Sequence, residues 1–310
     1  MYRILVTDGM DKIAINKLKD YGYEVVEKHL SEDELMEEVK NFDALVIRSA
    51  TKVNRNVIEA AAKGRRLKVV VRGGVGLDNV DVNFAKSKGI KVFNTPKASS
   101  ISVAELTIGH MIAISRYINV SNITMRQGKW EKKLYKGVEI YGKTLGLIGF
   151  GRIAKEVAKR ACALGMKVIY TDILGEAKGY QDYKFGSKEE VLKKANFISV
   201  HIPYNKNNPP AISKEEFDLM KNGVYIINCA RGGVVDEEAL LEGLKNGKVA
   251  GACIDVFKEE PALNKDLISH PRVSVSPHIG ASTMEAQMRI GEEIVNIIES
   301  YFNSYSKNAI

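Results

Sequence analysis

The sequence predicts an α/β protein of two doubly wound lobes, each a parallel sheet covered by helices, with a cleft between them. Three observations carry the prediction. Short β-branched runs alternate with helix-like stretches along all 310 residues; the alternation falls into two series separated by a long apolar segment; and the second series contains six strands, the content of one nucleotide-binding domain.

The first series is RILVTD (3–8), DALVI (43–47), KVVV (68–71) and KVF (91–93). Between its first two runs lies SEDELMEEVK, where Ser31 reads as an N-cap and Glu34, three residues on, completes a capping box. The segment 95–127 has Pro96 near its start and then SVAELTIGHMIAISRYI, predicted as a long helix so apolar that it is buried, either as a linker between domains or against a partner chain. The second series runs KTLGLIGF (143–150), KVIYTD (167–172), NFISVHIP (196–203), GVYIINCA (223–230), AGACIDVF (250–257) and RVSVSP (272–277). KNNPP, from Lys206 to Pro210, is the most loop-like insertion. The tail from Ser282 to Ser306 is helical again and is expected to return to the first lobe. The expected division is therefore 1–98 with 285–310, a discontinuous domain, against 99–284.

Composition narrows the function. At 45% apolar and 27% charged residues the chain can bury a substantial core. Cys162, Cys229 and Cys253 are far apart, and the five histidines form no HExxH-type set, so reduced thiols and no metal are expected. The net charge of +8 is spread along the chain rather than gathered with aromatics, which argues against a nucleic-acid partner and leaves room for small anions. No apolar run approaches the roughly 20 residues of a membrane helix, and MYRILVTDGM lacks a signal-peptide core, so no membrane partner and a cytoplasmic location are expected.

Gly149-Phe150-Gly151-Arg152-Ile153-Ala154 follows a strand and opens a helix, the setting in which GxGxxG/A binds a dinucleotide. Gly149 allows the tight turn, Gly151 lets backbone approach a pyrophosphate, and the helix N-terminus offers free amides. Asp172, at the end of the next strand, can bind ribose hydroxyls and repels a 2'-phosphate, so the expected cofactor of this Rossmann lobe is NAD.

Three polar residues stand after later strands: Arg231 after VYIINCA, Glu260 within DVFKEEP, and His278 within PHIGAS. Hydride transfer from a secondary alcohol needs a base for the hydroxyl proton, and histidine titrates in the right range. A carboxylate beside it stabilises the imidazolium, and an arginine fork grips a substrate carboxylate. Gly232 and Gly233 free the backbone to aim Arg231.

NCARGGVVDEEAL, DVFKEEP, PHIGAS, GLIGFGRIAKEVA and RGGVGLDNVD together resemble the D-isomer-specific 2-hydroxyacid dehydrogenase family, above all its phosphoglycerate dehydrogenase branch, over nearly the whole chain. The resemblance implies a flavodoxin-like substrate lobe beside the Rossmann lobe. It also implies a homodimer built on the interdomain helix and the loop after it. It makes His278 the acid/base, Glu260 its partner and Arg231 the anchor. In the family's formate dehydrogenases a glutamine stands where Glu260 is, so this residue implies proton-transferring chemistry.

The resemblance further places Arg152, Ile153, Asp172, Ile202, Pro203, Cys229, Ala230, Asp255, Gly280 and Ala281 along the cofactor, with Arg231 and His278. It places Arg48, Ser49, Arg72, Gly73 and Gly74 at the substrate, and it implies that Lys132, with Trp130 and Lys133, reaches the substrate cleft of the neighbouring subunit. Those cations suit a phosphorylated substrate, and the implied reaction is NAD-dependent oxidation of D-3-phosphoglycerate. A glyoxylate or hydroxypyruvate reductase and an NAD-sensing co-repressor-like protein are the alternatives. Two departures stand out: RGG at 72–74 where RAG is commoner, and YNKNNPPAIS at 204–213 where a threonine-containing loop is usual. The regulatory C-terminal domains of many such enzymes are expected to be absent, and with them feedback inhibition by serine.

Overall fold

Five short strands pair in parallel within the first hundred residues: β1 (Arg3–Val6), β2 (Glu24–Glu27), β3 (Ala44–Ile47), β4 (Val69–Arg72) and β5 (Lys91–Asn94). Their order is β2-β1-β3-β4-β5, the flavodoxin-like arrangement. Helices α1 (Lys12–Asp20), α2 (Glu32–Glu38), α3 (Arg55–Gly64) and α4 (Val82–Ser87) connect them. Alternate residues of each central strand face opposite sides: Ile4, Val6, Val46, Val69 and Val71 feed one core, Leu5, Leu45, Ile47 and Val70 the other. Burial on both faces is why these strands read as unbroken apolar runs. The Ser31 capping box forms, with Ser31 N donating to Glu34 Oε2 at 2.8 Å and Glu34 N to Ser31 Oγ at 3.4 Å. Strand β2 was not foreseen, because EVVE carries a glutamate at each end and lies at the sheet edge.

The structure is a computed structural model that describes residues 1–205 and 207–307, so Lys206 of the KNNPP insertion and residues 308–310 lie outside the described residues. The chain divides into two compact units, Met1–Ser99 with Ala281–Ile310, and Ser100–Gly280.

The second unit opens with α5 (Ser100–Ser115) and α6 (Ile118–Arg126) where one long helix was expected. Tyr117 takes the left-handed conformation, φ 56°, and breaks it. The reason is downstream: Val138 N donates to the Ser115 carbonyl at 2.9 Å, and Gly137 passes so close that a Cβ there would lie 2.3 Å from the same oxygen. The arriving segment takes the place of the next helical turn. Helix α5 buries most of its residues, as its apolar run predicts, whereas α6, which lies almost wholly beyond that run, buries none.

Then follow β6 (Thr144–Ile148), α7 (Arg152–Ala163), β7 (Lys167–Thr171), β8 (Lys184–Phe185), α8 (Lys188–Lys194), β9 (Phe197–Val200), α9 (Lys214–Leu219) and β10 (Val224–Asn228). The unit ends with α10 (Glu237–Lys245), β11 (Val249–Ile254), α11 (Lys265–Ile268) and β12 (Val273–Val275). All pairings are parallel in the order β12-β11-β10-β9-β6-β7-β8, the Rossmann order with one strand added at the β12 edge. Strand order reverses between β6 and β9, and ligands of such sheets collect at the carboxyl ends beside that reversal. The two-residue β8 is a strand beyond the six expected.

Helix α12 (Met284–Lys307) returns to the first unit. It approaches α1 at small residues, where a Cβ on Gly291 would lie 2.7 Å from Ala14 Cβ, and its Phe302 ring stacks on Tyr2 at 4.1 Å. No helix among the described residues is long and apolar enough to cross a membrane.

Candidate active site

The glycine loop sits at the strand-order reversal of the second unit. Gly149 has φ +87°, and a Cβ there would lie 2.7 Å from both His201 O and Ile202 Cγ2 beyond the end of β9, so any side chain would push the loop off the sheet. Gly151 is the N-cap of α7. It supplies no side-chain cap, and a Cβ on it would meet nothing within 4 Å. The first-turn amides, including those of Arg152 and Ile153, therefore have no side-chain acceptor from the N-cap, and the space beside Gly151 is open to an anion. Ala154 is fully buried, its methyl packed where the motif's third glycine would stand.

Asp172 ties the cradle together. Its Oδ2 accepts from Phe150 N at 2.7 Å and its Oδ1 from Leu174 N at 2.9 Å, leaving lone pairs on both oxygens for a ribose diol. The residues present thus fit NAD: bare helix amides for the pyrophosphate, an open glycine and a carboxylate for the ribose. Ile173 and Leu174, 102% and 90% exposed, add an apolar surface beside Asp172 that sequence reasoning missed. Phe150 braces the loop from below, stacked on Tyr170 at 3.8 Å.

Arg231, Glu260 and His278 follow the ends of β10, β11 and β12. Asn228 folds the chain after β10, its Nδ2 donating to Arg231 O at 2.9 Å and its Oδ1 accepting from Ala230 N at 3.1 Å. The glycines after Arg231 are required by close packing: a Cβ on Gly232 would lie 1.7 Å from Phe257 O, and one on Gly233, φ +80°, 2.5 Å from Tyr204 Cζ. They let the Arg231 turn lie directly on the turn that bears Glu260. Arg231 Nη1 donates to Ala230 O at 2.6 Å. Cys229 and Cys253 are buried, and burial pushes the Cys229 thiol up to about 12, which removes it as a nucleophile.

Asp255, 1% exposed after β11, organises the histidine loop. Its carboxylate accepts from Ser276 Oγ at 2.6 Å, Ile279 N at 2.8 Å and Gly280 N at 2.9 Å, while its carbonyl accepts from His278 N at 2.8 Å. These bonds hold His278 in the left-handed region, φ 54°, a conformation that costs about 1–3 kcal/mol unless its surroundings enforce it. His278 Nδ1 then lies 2.8 Å from Glu260 Oε2, and Glu260 Oε1 accepts from Phe257 N at 3.2 Å. With Nδ1 committed to the carboxylate, Nε2 is the nitrogen left to exchange a proton. Partial burial pushes the Glu260 carboxyl up; the hydrogen bond and charge of His278, the Phe257 amide and the Arg231 guanidinium outweigh it and hold the group below its ordinary range.

The structure brings Arg231, Asp255, Glu260 and His278 together in one unit, and sets Ile202 against the glycine loop with Pro203 next to it. Cys229 and Ala230 end the strand that leads to Arg231, whereas Ala281 packs on the core of the first unit. Arg48, Ser49, Arg72, Gly73 and Gly74 lie in the first unit, at the carboxyl ends of β3 and β4. There Asp8 Oδ2 accepts from Arg48 N at 2.7 Å, and Asn79 Nδ2 donates to Arg48 O at 2.7 Å. The unusual Gly73 lies close under α12: a Cβ there would lie 3.0 Å from Ile290 Cγ2 and 3.3 Å from Ile294 Cδ1. Gly74 has φ +146°, with the Arg72 guanidinium folded over it. Lys132 and Lys133 lie in an exposed turn of the second unit, two and three residues after Trp130.

Asn228, Tyr204 and Ser276 were missed by sequence reasoning. The polar residue ending an apolar strand and the serines alternating in VSVSP were the available signals.

Comparison with known proteins gives the family. Residues 108–280 match the family model described as D-isomer specific 2-hydroxyacid dehydrogenase, NAD binding domain. A hydroxypyruvate reductase of Thermotoga maritima is 48% identical, the match covering 96% of this chain and 97% of the relative. A D-3-phosphoglycerate dehydrogenase of Methanocaldococcus jannaschii is 46% identical over 96% of this chain but 57% of its own length, so this chain spans little more than half of that relative. Among solved structures, a glyoxylate reductase from Paecilomyes thermophila superposes with a TM-score of 0.88 at 30% identity, covering 96% of this chain and 94% of that one. By motif, sheet order and overall likeness the chain belongs to the D-isomer-specific 2-hydroxyacid dehydrogenase family and carries its NAD-binding domain.

Proposed function

We propose that the protein interconverts a three-carbon D-2-hydroxyacid and its 2-oxoacid with NAD, the preferred substrate being D-3-phosphoglycerate. The observation that carries the chemistry is the 2.8 Å contact between His278 Nδ1 and Glu260 Oε2. In oxidation, His278 Nε2 takes the substrate hydroxyl proton, and Glu260 stabilises the imidazolium that forms. In reduction the imidazolium returns the proton to the oxygen of the 2-oxo group. Arg231 pairs with the substrate carboxylate and orients the carbon that loses hydride. NAD, when bound, supplies the hydride acceptor. The bare amides at Arg152 and Ile153 and the Asp172 carboxylate would hold its pyrophosphate and ribose.

What favours the phosphorylated substrate is the family resemblance, which assigns to it Arg48, Arg72 and, from a neighbouring subunit, Lys132 and Lys133, since a phosphate stripped of water needs several cations. A second reading, hydroxypyruvate reduction, is favoured by the full-length likeness to the Thermotoga maritima protein. The two candidates share one carbon skeleton and differ in the phosphate. Comparing kcat/KM for 3-phosphohydroxypyruvate, hydroxypyruvate and glyoxylate with NADH separates them: a preference for the unphosphorylated acids moves the assignment to the second reading. NADH binding with no turnover of any 2-oxoacid would make the protein an NAD-sensing binder instead. A homodimer through α6 and the loop after it is part of the proposal, supported by Ile118, Ile123, Met125, Trp130 and Leu134, all large apolar residues left exposed.

A further inference from the structure

Helix α5 is apolar and buried, yet it carries a histidine that the proposed chemistry does not use. His110 is 7% exposed and hydrogen-bonded at both ring nitrogens, with Nδ1 2.6 Å from Ser274 Oγ and Nε2 2.8 Å from Ser276 Oγ. Ser274 lies within β12, and Ser276 lies in the segment that leads from it into the His278 loop.

The direction of each bond follows from proton counting. Ser276 has one hydroxyl proton, and it is given to Asp255 Oδ1 at 2.6 Å, because a carboxylate only accepts. Ser276 Oγ can then meet His110 Nε2 only as an acceptor, so Nε2 carries the imidazole proton. Nδ1 is bare and takes the hydroxyl proton of Ser274. Ser274 Oγ in turn accepts from Asn119 Nδ2 of α6 at 2.6 Å. Every donor has one acceptor along the path, and the path ends on the carboxylate that holds Ile279 N and Gly280 N.

We propose that His110 is a positioning residue for the reaction: as the neutral Nε2–H tautomer it is the middle link of a one-way hydrogen-bond chain, Asn119 to Ser274 to His110 to Ser276 to Asp255, that holds the His278 loop in its left-handed turn. Burial pushes the His110 ring toward the neutral form, against the pull of Asp255, and so agrees with the tautomer that the chain requires. A doubly protonated ring would turn Nδ1 into a second donor toward Ser274 and leave that serine's own proton without the ring nitrogen to receive it. The inference rests on the proposed acid/base role of His278, since what the chain positions is that residue's loop.

The test uses the full-length protein and whichever 2-oxoacid the wild type turns over. His110→Leu removes both hydrogen bonds at similar volume, and His110→Gln keeps one donor and one acceptor. The chain predicts that His110→Leu lowers kcat about 10-fold with KM for the 2-oxoacid and Kd for NADH little changed, as expected of sub-ångström misplacement, and that His110→Gln restores most of it. Equal kcat losses in the two variants, or full activity in His110→Leu, would overturn the proposal. Nitrogen-15 NMR of the wild type supplies a reading independent of activity: the chain requires His110 to carry its proton on Nε2, and a proton on Nδ1 refutes it. His278→Ala is measured in parallel. If that variant stays active, the acid/base reading fails and the positioning role with it; if it is inactive while His110→Leu is not, only the positioning role fails.

Discussion

Gly232→Ala isolates the geometry that aims Arg231. A Cβ built on Gly232 lies 1.7 Å from Phe257 O and 2.1 Å from Phe257 C, atoms of a backbone that cannot rotate away. Reaching even the 3.0 Å floor of real Cβ contacts requires the two turns to separate by roughly 1.3 Å, and a misplacement of about 1 Å is enough to cost on the order of 10²-fold in rate. The same displacement pulls on the turn whose Phe257 amide anchors Glu260. We therefore expect kcat/KM for the 2-oxoacid to fall about 10²-fold and stability to fall by about 1–3 kcal/mol, the usual range for overpacking. NADH affinity should fall much less than kcat/KM, because the Gly149–Gly151 cradle lies after a different strand and outside the two turns that separate. The assay is steady-state NADH oxidation with fluorescence titration of NADH and a thermal melt. Gly109→Ala is the control, since a Cβ there meets nothing within 4 Å. Near wild-type kcat/KM in Gly232→Ala would refute the claim that the glycine pair sets the aim of Arg231.

For Arg231→Lys, kcat/KM is expected to fall about 10- to 100-fold, because a point charge cannot replace the two-pronged fork; unchanged kinetics would remove Arg231 as the anchor. Asp172→Asn should lower the preference for NADH over NADPH about 10-fold or more by removing a repelling charge, read as the ratio of the two kcat/KM values, and an unchanged ratio would show that Asp172 does not face the ribose. For Glu260 the folded pKa lies below the ordinary value, so its stabilising contribution is complete above the ordinary carboxyl value of 4.5 and is lost as pH falls through the lower folded value. Urea unfolding of wild type and Glu260→Gln should accordingly differ at neutral pH and converge in acid. With the side chain 41% exposed the difference should stay below about 1 kcal/mol, and a gap that widened on acidification would reverse the assignment.

Features set by local rules were legible in the sequence. The glycine loop, Asp172, and the residues after β10, β11 and β12 were found because strand ends and motif spacing are local, and the Ser31 capping box needed only a three-residue interval. Features set by distant packing were not legible. Tyr117 breaks the helix because residues 137 and 138 claim the Ser115 carbonyl, and nothing within 100–117 announces it. Nothing at 72–74 announces that Ile290 and Ile294 of α12 lie close over Gly73. Strands β2 and β8 escaped because edge strands bury too little to need an apolar run. Asp255 was placed only by resemblance, and its four hydrogen bonds to the histidine segment appear only in three dimensions.

The central claim is that His278, steered by Glu260, moves the proton in a D-2-hydroxyacid dehydrogenase. Its most direct test is kcat for NADH oxidation with the preferred 2-oxoacid in wild type and His278→Ala, beside the NADH Kd of each. The account predicts a fall in kcat of roughly 10²- to 10⁴-fold with Kd essentially unchanged. A variant that keeps most of its kcat would contradict it.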